Sequence, residues 1–165
     1  MTAKEAYAAF LRDLLAWLPG QVGDDVGLLL MIRGAKVVPK NDYEYTVTFP
    51  GPGRRRAYLF FAQNMRMPYD AESKVFAVAF SLGSKLTYSW LEAEAKRMLS
   101  QGSCGRYDYG KGDIFFVQTE WGQEGEWNHL YSPPIRTRLF KYALDALRFA
   151  KHALDYEACR KDQKM

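Results

Sequence analysis

Two runs in this chain have no wet face: Ala57-Tyr58-Leu59-Phe60-Phe61 and Val75 to Leu82. A strand turns successive side chains to opposite sides of its sheet, so a strand with one solvated face alternates apolar with polar residues. These two do not alternate. Such strands belong at the centre of a sheet, covered on each side by their own chain or on one side by a partner. Whatever else the chain folds into, it must build a sheet around these runs and then cover it.

The other segments supply strands and helices for that purpose. Tyr43 to Phe49 alternates cleanly, and Pro50-Gly51-Pro52-Gly53 turns it into the run from Ala57. Val26 to Arg33 is a continuous apolar run and is read as a further strand. Upstream, Thr2 and Glu5 form a capping box, and Tyr7, Phe10, Leu11, Leu14, Leu15 and Leu18 recur at helical spacing until Pro19-Gly20 stops them. A middle helix is predicted from Thr87 to Leu99, with Leu91, Ala95 and Met98 on its dry face, Glu92, Lys96 and Arg97 outward, and Gly102 as its terminal cap.

Ser132-Pro133-Pro134 opens a long final helix, serine capping it and proline in its first turn. Leu139, Ala143, Ala146, Leu147, Ala150 and Leu154 mark its dry side; Lys141, Asp145, Arg148, His152 and Asp155 mark the wet one. The alanines require something to pack close against this helix. The last polar residues, RKDQKM, are expected to fray.

Gly105 to Asp113, GRYDYGKGD, carries G-x-x-x-x-G-K and so poses the question of a phosphate loop. Gly112 stands where the signature needs a hydroxyl for magnesium, and a strand-like run, Ile114-Phe115-Phe116-Val117, follows where a helix should. The stretch therefore reads as a β-hairpin, Arg106 to Tyr109 turning through Gly110-Lys111-Gly112-Asp113 into Ile114 to Thr119, with glycines serving the turn. The order α-β-β-β-β-α-β-β-α describes a single α+β domain over residues 1–165. Its sheet should be largely antiparallel, with N-terminal, middle and long C-terminal helices packed on it.

Composition narrows the function classes. The net charge of +4 and pI near 9.0 permit contact with nucleic acid or an acidic protein without requiring either. Cys104 and Cys159 have neither metal nor C-x-x-C spacing and are read as free thiols of a reducing compartment. Arg12 and Asp13 interrupt the first apolar segment, so it does not read as a signal peptide, and no run is long enough to span a membrane. A cytoplasmic protein is expected.

A catalytic constellation is not evident. Glu120, Glu124, Glu126 and His129 are the closest approach to a metal cluster, and their glycine-rich setting reads as a solvated loop. A triad of Cys104, His129 and an aspartate lacks any local signature that would activate the thiol. The expectation is a non-enzyme without metal or cofactor.

Binding is better supported. Aromatic residues make up 15% of the chain, more than one small core can hide, and apolar area in excess of the core marks a protein partner. The candidate contact residues are Trp17, Tyr43, Tyr45, Tyr58 and Phe60, in an adaptor or chaperone-like module that pairs with itself. Two other readings stay open. Arg54, Arg55 and Arg56 beside the aromatics could hold phosphates while bases stack, as in single-strand binders, or could simply keep a hairpin end soluble. A small inhibitor or immunity-type protein that blocks a partner's surface fits the same composition.

The element order, and above all LEAEAKRMLSQGSCGRYDYGKGDIFFVQTE, resembles the type III secretion chaperone-like superfamily with its sensory-transduction-regulator group. The resemblance lies in a middle helix running into Gly105-Arg106-Tyr107, then a glycine turn and an apolar return strand. It implies an N-terminal helix, an antiparallel meander, a middle helix, a hairpin and a C-terminal helix. It also implies a non-catalytic protein-binding module that often forms homodimers, and it assigns no catalytic residues.

Overall fold

The computed structural model describes residues 3–41, 44–67, 70–82, 90–99, 105–108, 113–118 and 133–162. Helix α1 (Ala3–Trp17) passes through a 3-10 turn (Leu18–Gln21) into helix α2 (Val26–Arg33). Four strands follow: β1 (Lys36–Asn41), β2 (Glu44–Pro50), β3 (Arg56–Met67) and β4 (Asp70–Ser81). Helix α3 (Leu91–Met98), strands β5 (Gly105–Asp108) and β6 (Asp113–Gln118), and helix α4 (Pro133–Asp162) complete the chain. The mixed helix and strand class, the antiparallel sheet and the long C-terminal helix are as the sequence indicates.

The order of elements is not. Val26 to Arg33, read as a strand, is a helix, and β1 lies downstream of it. The Asp25 carboxylate caps the helix by accepting from the Leu28 amide at 3.0 Å, and Gly34 closes it by donating to the Leu30 carbonyl at 3.0 Å. Leu28, Met31 and Ile32 are buried while Val26 and Leu30 are 65% and 61% exposed, the one-sided burial of a helix. A short apolar run is ambiguous by periodicity alone, and here the caps decide.

The strands form one six-stranded sheet in the order β1-β2-β3-β4-β6-β5, antiparallel throughout. The two runs without a wet face lie in β3 and β4, at its centre, with Leu82 just past the end of β4. Their neighbour β2 reaches β3 through a tight turn in which Gly51 N–H donates to Arg55 O at 2.9 Å and Arg55 N–H to Pro52 O at 3.2 Å. Gly53 takes φ +66°, a conformation costly for any residue with a Cβ. Pro39 sits in edge strand β1, where a missing N–H is tolerated and hinders edge-to-edge pairing.

Gly105 to Asp108 pairs with Asp113 to Phe116, so this stretch is a hairpin rather than a phosphate loop. Its turn, residues 109–112, lies outside the described residues. So do Thr2 of the capping box, the predicted cap Gly102, Cys104, and the Glu120 to His129 cluster.

The helices gather on one side of the sheet. Tyr45, Val47 and Phe49 of β2 and Ala57 and Leu59 of β3 join a core with Phe10, Leu11 and Leu14 of α1, Leu28 and Ile32 of α2, and Leu91 and Ala95 of α3. Helix α4 runs through the middle, touching α2, α3, β3 and the 3-10 turn. Its six expected dry residues are all buried, and so are Tyr142, Leu144, Phe149 and Ala153, which widen the buried stripe to most of the circumference. Small Ala143, Ala146, Ala150 and Ala153 let neighbouring elements approach closely.

Asp145 is not on the wet side that helical spacing indicates: it is only 7% exposed and accepts from Lys141 Nζ at 2.9 Å, which balances the charge of the buried carboxylate. At the helix's start Arg136 pairs with Asp13 of α1 and lies 5.2 Å from the Phe140 ring.

Candidate binding surface

Side-chain alternation divides the aromatic candidates. On β2, Tyr45 points with Val47 and Phe49 into the helical core and is 6% exposed. Cross-strand pairing sets Tyr45 against Phe61, Thr46 against Phe60, and Thr48 against Tyr58. Tyr58 and Phe60 therefore share the opposite side of β3 from buried Ala57 and Leu59. Their rings confirm it, stacked at 6.3 Å between centroids and 19° between planes. Both are half-buried.

Trp17 is elsewhere, packed 5.3 Å from Phe140 at the α1–α4 contact. Tyr43 lies outside the described residues. Of the five residues singled out in the sequence, the structure brings together Tyr58 and Phe60.

Around this pair the same pairing collects other side chains. Val38 is opposite Thr46, and Lys36 is opposite Thr48. Arg56 lies two residues before Tyr58 on the same side of β3. Val38 is 48% exposed, Lys36 and Arg56 are exposed, and the small Thr46 and Ser81 are buried among larger neighbours. Among the described residues this side of the sheet carries no helix. It is an aromatic and aliphatic surface with cations at one end.

The contribution of β1 was missed in the sequence. Its signal was Lys36-Val37-Val38, a short β-branched run between Gly34 and Pro39.

The three adjacent arginines do different things. Arg55 donates to the Pro52 carbonyl at 3.3 Å and closes the turn that carries it. Arg54 and Arg56 are exposed. The ion pairs found among the described residues involve other side chains than Lys36, Arg54 and Arg56.

Among the described residues the buried Thr46 hydroxyl has no hydrogen-bond partner. Thr46→Val keeps the shape and removes the unsatisfied group, so it is expected to raise stability by about 1 kcal/mol. Urea unfolding checks this directly, and a loss of stability would show that the hydroxyl is satisfied in solution.

Two other features have the outline of a site. A cleft of 330 Å³ lies between α2, the β2–β3 turn and α4, lined by Gly27, Leu30, Met31, Pro50, Lys151 and Asp155 among others. Its ammonium is already committed: Lys151 Nζ donates to Asp155 at 2.8 Å and stands 3.9 Å from Asp25, and the Asp155 bond holds its pKa above the ordinary lysine value. The second is Trp90, which joins α3 to α4 by lying 5.2 Å from His152 and 5.0 Å from Tyr156. Beside it Arg97 makes two hydrogen bonds to Glu94, at 3.0 and 2.8 Å, which keep that carboxyl below its usual pKa. Both arrangements satisfy their own charges.

Among the described residues no group of three or more His, Cys, Asp or Glu could hold a metal ion, and no helix is long and apolar enough to cross a membrane. No family model, curated protein or solved structure matches this chain. The surface has to be read from its own chemistry.

Proposed function

We propose that the chain is a non-catalytic adaptor or chaperone-like module that binds another protein on the side of its sheet opposite the helical core. One observation carries this reading: Tyr58 and Phe60 stack on the side of β3 opposite the helical core, with Val38 exposed beside them. Aromatic side chains of this kind bury large area at little entropic cost and anchor interfaces. Pairing of two copies belongs to the same proposal, as does the kinship of element order with the secretion chaperone-like superfamily. A cytoplasmic location is part of it too.

The test compares wild type with the Tyr58→Ala/Phe60→Ala double variant, each as bait in host extract and each sized by light scattering. Loss of these anchors is expected to weaken a recovered complex or dimer at least about thirtyfold. The thermal transition of the free protein should remain cooperative. Unchanged recovery and unchanged mass with the double variant would overturn the assignment.

A further inference from the structure

The partner's chemistry is written in how charge is distributed over this surface. Lys36 is in line with Thr48 and Tyr58 across three strands, and Arg56 is one step further toward the turn that exposes Arg54. All three cations stand at the same end of the sheet, where β2 turns into β3. Beyond them Val38, Thr46, Tyr58, Phe60 and Ser81 are uncharged, and the register puts position 44, a glutamate, at the far end of the same side. No carboxylate among the described residues pairs with these cations.

We infer that the occupant is an acidic segment of another protein, with one or two carboxylates followed by apolar side chains. The carboxylates meet Lys36, Arg54 and Arg56, and the apolar groups cover Tyr58, Phe60 and Val38. From Arg56 to Phe60 a strand advances about 13 Å, which sets the spacing the segment must match. The inference rests on the proposed protein-binding role of this surface and adds the partner's charge and layout.

Charge distribution favours a peptide over a nucleic acid. A single strand carries a phosphate on every nucleotide, and its binders track it with cations along a groove. Here Lys36, Arg54 and Arg56 stand together at one end, and Arg55 is spent on the turn. Complementarity of charge localised in this way fixes orientation as well as attraction.

The test is selection from a random dodecapeptide library displayed on phage. Wild-type protein is the target, and the Tyr58→Ala/Phe60→Ala variant is the counter-selection. Selected peptides are then measured by fluorescence anisotropy at low and high salt, against wild type and Arg54→Glu/Arg56→Glu, with the oligonucleotide (dT)20 as competitor. Expected are peptides with Asp or Glu at one side of an apolar cluster. Their binding should weaken with salt and fall about tenfold on charge reversal, while thermal unfolding of that variant stays cooperative.

Peptides that depend on Tyr58 and Phe60 but are neutral or basic would overturn the acidic partner and leave the protein-binding role standing. Peptides recovered equally by the counter-selection variant, or none recovered, would overturn both. Direct binding of (dT)20 that displaces the peptides would replace both with a nucleic-acid surface.

Discussion

Phe149→Ala is expected to lower the free energy of unfolding by about 3–5 kcal/mol, a large share of the stability of a domain this size. Phe149 is 0% exposed on a helix that is buried over most of its circumference. The removed ring leaves a void lined by elements on several sides of α4, which cannot all move inward together. The lost transfer energy is therefore joined by the cost of the residual cavity. Urea unfolding should show a lower midpoint with an unchanged slope. A loss below about 1 kcal/mol, the size of an ordinary substitution, would mean that α4 is not the central helix.

The second large effect separates two tyrosines that the sequence grouped together. Tyr45→Ala should cost about 3–5 kcal/mol, because the side chain is 6% exposed among core residues. Tyr58→Ala should cost only about 1 kcal/mol, because its ring is half-buried on the other side of the sheet. The pair of measurements is a direct check on which side of β2 and β3 meets the helices. Equal losses would place Tyr58 in the core as well and remove it from the proposed interface. A reversed order would turn the sheet over.

Much of the candidate surface was legible before the fold. The lack of a wet face in Ala57 to Phe61 points to cover on both sides, and the excess of aromatic residues points to Tyr58 and Phe60 as contacts. The residues that do not join the surface fail for identifiable reasons. Tyr45 alternates with threonines on β2, and alternation shows that a strand has two different sides without showing which one the helices occupy. Trp17 ends a helix whose apolar stripe is wide, so its ring was open to either role until Phe140 was found against it.

The same limit explains Asp145. Helical spacing assigned it to the wet side, and the assumption of a narrow dry stripe failed once α4 was covered by helices and sheet together. The strand assigned to Val26 to Arg33 failed differently. Asp25 before it and Gly34 after it are helix start and stop signals present in the sequence, but eight consecutive mostly apolar residues conceal any period.

Local chemistry within the chain was enough to indicate the mixed helix and strand class, the β2–β3 turn at Pro50 to Gly53, the Gly105 to Gln118 hairpin and a long helix from Pro133. Each is signalled by residue types close in sequence: a proline, a turn glycine, a hydrophobic period. The place of β1 beside β2, the burial of Asp145 against Lys141 and the gathering of Lys36, Arg56, Tyr58 and Phe60 on one side arise from pairing between separate elements. Neither side chain of such a pair carries a mark of the other in its own neighbourhood of sequence. Register and the choice of covered face are set by how whole elements pack, so the surface proposed here exists only once the sheet is assembled.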